Sequence, residues 1–246
     1  MASWTLEHPD KLTFDEVNRV QVEIVEGSVS VVASDDRPTL ELSELSGEPL
    51  RVRRDGGVLT VDYERPWRPW PLAWLTGGAQ RRKALLSLAV PRDCRVELRV
   101  VSASLMVGGL HAPVEAHTVS GEITLTGLRG PVEAESVSGP VQASGVTGDL
   151  SARTVSGDLT VAEGGGGSVR ARTVSGAVAV DLQASGDRDI SLSSGQVSSA
   201  FDQLERDQTP GRYSAWGRLG AGTGRLRAAS TSGHVALLRR GPEASL

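Results

Sequence analysis

The feature that most constrains this chain is a repeat with a fixed step. Thr/Ser-Val-Ser-Gly occurs at 118–121, 136–139, 154–157 and 173–176, and degenerate copies end at Gly195 and Gly233. Glycines 121, 139, 157, 176 and 195 are 18, 18, 19 and 19 residues apart, and Gly233 follows after 38, as if one copy had eroded. Val101-Ser102-Ala103 is an earlier degenerate copy. Such a period means stacked units, each too small to bury its apolar face alone. Helices are excluded, because a glycine about every nine residues breaks any 3.6-residue pattern.

A half-period lies inside each repeat. From Val119 the apolar residues run Ile123, Leu125, Leu128, Val132, Ala134, Val137, Val141 and Ala143, in steps of 4, 2, 3, 4, 2, 3, 4 and 2. A step of two is strand alternation, with both side chains on one face. Ser-Gly is turn chemistry in which glycine is free to take a positive φ. Two nine-residue units then make one coil of strand, turn, strand and turn, displaced about 4.8 Å from the last. Equivalent residues stack in columns. Ala116, Ala134, Ala152 and Ala171 form one, and Ile123, Val141, Leu159 and Val178 another. Val119, Val137, Val155 and Val174 form a third, expected to be buried. The general crossover rule predicts right-handed coiling. His117, Glu135, Arg153 and Arg172 share an outward column, with a carboxylate between a histidine and an arginine, and form a candidate charged face. Glu133, Ser151 and Arg170 make a second such column.

The first 99 residues lack the tight period but read as β, with alternation at 20–24 and 58–61 and a hairpin turn at Asp55-Gly56-Gly57. Gly27-Ser28-Val29-Ser30-Val31 resembles one degenerate unit. The expected layout is an irregular β region at 1–99 that leads into and caps the solenoid, repeats at 100–240 and a tail at 241–246. Residues 65–83 interrupt the pattern with three prolines and with Trp67, Trp70 and Trp74. These tryptophans, Leu72 and Leu75 supply an apolar face flanked by Arg81, Arg82 and Lys83. The segment is expected to cap the core or to contact a partner or membrane surface.

No catalytic machinery stands out. Neither lysine follows a glycine, which excludes a P-loop. No Gly-x-Ser-x-Gly elbow occurs. The four histidines have no metal-ligand spacing, and the lone Cys94 makes neither a disulfide nor a thiolate cluster. No cofactor or metal is expected. The net charge of −4 argues against nucleic acid. The first residues carry no apolar run, so the expected location is the cytoplasm, peripheral to the membrane at most.

The unit Thr-Val-Ser-Gly-Asp-Leu-Thr-Val (154–161), the entry Leu-Ala-Val-Pro (88–91) and the closing Thr-Ser-Gly-His-Val-Ala-Leu-Leu (231–238) resemble the bacterial toast-rack family of β-strand-repeat proteins, also known as "putative adhesins". The resemblance implies a β-solenoid without catalytic residues, in a family linked with envelope-stress systems. The expectation is therefore an all-β, single-stranded β-helix with 18–19 residues per coil, acting as a non-enzymatic scaffold that presents β-faces to a protein partner. Alternatives are a carbohydrate-active β-helix enzyme or a self-assembling, bactofilin-like element, and the oligomeric state stays open.

Overall fold

The computed structural model describes residues 1–63, 82–162, 167–183, 187–209, 212–222 and 224–240, all in strands, turns and loops. The Trp/Pro-rich stretch from 64 to 81, with Trp67, Trp70, Leu72, Trp74, Leu75 and Arg81, lies outside the described residues.

The fold is a stack of coils, as the repeat predicts. Each regular coil holds two short strands: β9 (Val114–Thr118) and β10 (Ile123–Thr126), β11 (Val132–Ser136) and β12 (Val141–Ser144), β13 (Leu150–Arg153) and β14 (Leu159–Ala162), β15 (Ser168–Thr173) and β16 (Val178–Gln183). First strands pair in parallel with first strands, and second strands with second strands, in register. The two faces share one core of buried side chains. The alanine column is as expected: Ala116, Ala134, Ala152 and Ala171 are buried, and Ala228 continues it. The column is flanked by Leu98 beside Ala116 and by Leu192 beside Ala228, both buried, so the small side chain belongs to the central coils.

The first half of the chain supplies a coil of its own. β3 (Arg19–Ala33) runs through both faces and pairs in parallel with β8 (Arg95–Gly108) from Arg19↔Arg95 to Val32↔Gly108. β8 also crosses residues 99 and 100, where a boundary is expected, without a break. Antiparallel strands close this end: β1 (Ala2–Leu6), β5 (Leu50–Asp55) and β6 (Val58–Tyr63) on one face, and β2 (Asp10–Thr13), β4 (Thr39–Ser46) and β7 (Lys83–Val90) on the other. Trp4 meets Phe14 edge-on, with ring centroids 5.5 Å apart.

At the far end the order of coils departs from the order of the sequence. β21 (Gly224–Ser230) and β22 (His234–Arg240) stack directly on β15 and β16. β17 (Arg188–Ser194) and β18 (Gln196–Ser199) stack outside them. The step of 38 to Gly233 is thus not an eroded copy. The chain jumps one place outward and returns through the hairpin β19 (Glu205–Thr209) and β20 (Arg212–Leu219) to fill the gap. The last strand is therefore not a bare edge, since β22 has a partner on both sides.

Two local expectations need correction. Val119, Val137, Val155 and Val174 stack in a column, but on the outside: Val137, Val155 and Val174 are 40%, 48% and 47% exposed. Alternation along β9 turns Val114, Ala116 and Thr118 inward, so the next residue faces out. The inner corner is held by Thr118, Ser136, Thr154, Thr173 and Ser230, all buried. Each hydroxyl accepts the N–H of the glycine three residues on, as in Gly139 to Ser136 at 2.8 Å. That satisfies a buried donor, which a valine at this position would leave without a partner. The corner glycines are also not there for a positive φ. A Cβ on Gly157 would lie 2.0 Å from the carbonyl oxygen of Gly139, so it is the close approach of the preceding coil that requires glycine.

Candidate binding groove

Where each first strand turns toward its second, the coils leave a continuous groove of about 1110 Å³. Its lining repeats coil by coil. One wall carries the charged column Glu23, Arg99, His117, Glu135, Arg153 and Arg172. The other carries the valine stripe Val101, Val119, Val137, Val155 and Val174, ending at Thr231. The buried corner hydroxyls form the floor. Five steps separate Val101 from Thr231, which makes the stripe about 24 Å long at one strand spacing per step.

The stripe is fixed by the backbone. Val119 N donates to Val101 O at 3.1 Å, Val155 N to Val137 O at 3.2 Å, Val174 N to Val155 O at 3.2 Å and Thr231 N to Val174 O at 3.1 Å. The adjacent serines add a second rail: Ser138 Oγ donates to Val119 O at 3.1 Å and Ser232 Oγ to Val174 O at 3.2 Å. These bonds engage most of the corner backbone, so an occupant binds chiefly by its side chains. Scattered surface valines are ordinary, but a row of them is an apolar patch.

The expected charged face is assembled as the column predicts. Glu135 accepts from Arg153 Nη1 at 3.1 Å and lies 3.4 Å from His117 Nδ1. Arg153 also reaches Glu133 at 3.9 Å. These groups are between three and five tenths exposed, so their attraction is weakened by water. Arg172 pairs in register with Arg153 and touches no carboxylate among the described residues.

Tyr63 and Arg82 close one end of the groove. The Tyr63 hydroxyl donates to Arg82 O at 2.9 Å, and the Arg82 guanidinium lies 5.4 Å from the ring centroid. Burial pushes the Tyr63 hydroxyl up to about 12. Of the basic residues expected to flank a partner contact, Arg82 pairs with Glu48 at 2.8 Å and Lys83 with Glu44 at 2.9 Å. Both are tied into the sheet.

One group escaped the sequence reading. Glu97, on the outer side of β8, is only 6% exposed. Burial alone would raise its pKa. Hydrogen bonds from Gln21 and Arg19, both 2.9 Å, and the charges of Arg99 and Arg19 outweigh burial and hold it at about 2. The signal was present: aligning Gly27 with Ala103 as corner residues puts Gln21 beside Glu97. Cys94 is fully buried, and burial pushes its thiol up to about 12, which leaves no thiolate for nucleophilic work. Among the described residues no three His, Cys, Asp or Glu side chains gather as metal ligands. No helix of the described residues is long and apolar enough to cross a membrane.

No curated protein matches the chain. Solved structures with a similar fold include a "putative adhesin" from Bacteroides fragilis, 11% identical with a TM-score of 0.41 and 97% of each chain covered. A "putative cell adhesion protein" from Clostridium sporogenes is 9% identical with a TM-score of 0.39, covering 94% of this chain and 100% of that one. A "putative lipid binding protein" from Parabacteroides distasonis is 13% identical with a TM-score of 0.38, covering 96% and 98%. The coils from β8 to β22 coincide with the match to the family model Toastrack DUF4097 over residues 95–238, more than half of the sequence, and the chain belongs to that family.

Proposed function

We propose that the protein is a non-enzymatic binding scaffold whose groove takes an extended segment of a protein partner. Apolar side chains of the segment lie along the valine stripe, and its charges meet Glu135 and Arg172. The observation that carries this reading is the row of exposed valines at one strand spacing beside a charged column. Repeat proteins commonly bind through such extended concave surfaces, because every repeat offers the same contact again. A place near the membrane, in envelope-stress signalling, belongs to the same proposal and rests on the family resemblance.

Site-specific photo-crosslinking in the native host tests it. A photoreactive residue at Val155 should give a discrete cross-linked species, lost when Val137 and Val174 are changed to Asp. The same residue at Thr160, exposed on the opposite face, should give none. Equal cross-linking from 155 and 160 would sink the reading. So would a product from Val155 that the two Asp substitutions leave unchanged. Repeating the experiment after replacing residues 65–80 with a short Gly/Ser linker shows whether the Trp-rich segment contributes to the contact.

A further inference from the structure

The outer surface of the first-strand face changes character along the stack. Near β8 to β11 it carries Glu97, Glu115, Glu133 and Glu135, and each meets a basic partner. On β15 and β21 it carries Arg170, Arg172, Arg225 and Arg227. Arg170 stands beside Arg227 in register, and Arg225 beside Ser168. Arg172, Arg225 and Arg227 are exposed and Arg170 half-buried. No described carboxylate forms an ion pair with any of the four. Asp189, the acid nearest to Arg225 in register, is taken by Arg218 Nε at 2.9 Å. Like charges on neighbouring strands repel, so the arrangement costs stability unless something anionic covers it.

We infer that this arginine lattice is a docking surface for an anionic lipid membrane. It goes beyond the groove reading and does not rest on it. Charge complementarity calls for phosphate-bearing groups, and the planar, forked guanidinium suits them. Two features of the patch favour a membrane over a dissolved polyanion. Adjacent strands hold the four cations on a flat sheet surface and not along a single line. Trp216 on β20, 41% exposed, shares the column that runs through Arg227 and Ser191, about two strand spacings from Arg227. Tryptophan beside arginine is the pairing that settles at a bilayer interface, ring among the headgroups and cation on phosphate.

Co-sedimentation of the full chain with vesicles tests this. The protein should pellet with vesicles of phosphatidylglycerol and phosphatidylcholine in equal parts, and stay in solution with phosphatidylcholine alone. Each arginine near an anionic surface is worth about fivefold in partitioning, so Arg170→Ser with Arg227→Ser should weaken it roughly thirtyfold. Arg170→Lys with Arg227→Lys should keep most of it. Trp216→Ser should reduce it further, and molar salt should abolish it. An unchanged melting temperature in each variant excludes unfolding as the cause. The inference fails if the native chain does not sediment, or if the Ser variants sediment equally well. It also fails if soluble polyphosphate binds the patch and anionic vesicles do not. If changing Trp67, Trp70 and Trp74 to Ser abolishes sedimentation while the arginine variants leave it intact, the membrane contact lies elsewhere.

Discussion

Glu97 and Arg170 occupy equivalent outward positions on the same face, yet one is sealed and the other open. Around Glu97, the long strands β3 and β8 bring Arg19, Gln21 and Arg99 onto one carboxylate. Around Arg170, three short strands bring arginine to arginine with no acid to spare. The solenoid repeats its backbone and leaves each outward column to be filled by whatever the coil supplies. One end uses that freedom to strengthen the stack. The other spends stability on a charged surface, which is the pattern expected where a ligand is to be met.

The largest expected effect tests whether the two ends form one cooperative unit at all. Gly157 lies between them, and a Cβ there meets backbone, not a flexible side chain. Gly157→Ala should cost on the order of 3 kcal/mol in urea unfolding. A loss below about 1 kcal/mol would show that the coils yield locally and that the ends are independent.

Next comes the sealed end. Glu97→Gln should cost roughly 2–3 kcal/mol, because it leaves Arg19 and Arg99 without the charge they surround. The pH dependence follows from the lowered pKa. The folded value of about 2 is below the ordinary 4.5, so the stabilisation is fully present above the ordinary value and is lost as pH falls from there toward 2. Unfolding curves for the Gln variant should lack this component. If the two proteins lose stability in parallel between pH 4 and pH 2, the buried network is not the cause.

At the open end the sign should reverse. Arg170→Ser with Arg227→Ser should leave the melting temperature unchanged or raise it slightly, an effect of about 0.5 kcal/mol. Sulfate should raise the melting temperature of the native chain more than that of the double variant. A double variant less stable by more than about 1 kcal/mol would mean that the arginines have structural partners.

The smallest effect lies between the ends. Glu135 holds His117 and Arg153 in the open, so Glu135→Gln should change stability by about 0–1 kcal/mol. A loss as large as that at Glu97 would erase the contrast between the two environments.

Much of this could be read from the sequence. The period, the two strands per coil and the alanine column follow from spacing, because a stacked coil brings residues 18 or 19 apart side by side. The charged column was legible for the same reason. The valine stripe was misplaced by one residue: hydropathy prefers valine inside, but the corner glycine needs a hydroxyl to receive its N–H, and a threonine or serine meets that need. The groove was not legible, because it lies between two outward columns and becomes continuous only when the coils are stacked. Arg82 and Lys83 adjoin the Trp-rich stretch in the chain, and their ion pairs with Glu48 and Glu44 come from pairing across the sheet, which spacing does not show.

The sequence by itself determined the repeat, the glycine at each corner and the alternation along each strand, since these depend on contacts that every coil makes with the next. Only the tertiary structure decided which coil is next. Corners are alike, so the coil ending at Gly176 could accept either Gly195 or Gly233, and the period cannot choose between them. The hairpin of β19 and β20 lets β17 and β18 lie outermost and slides β21 in beside β15. That places Arg227 against Arg170, where β17 would have set Ser191, and so creates the arginine surface.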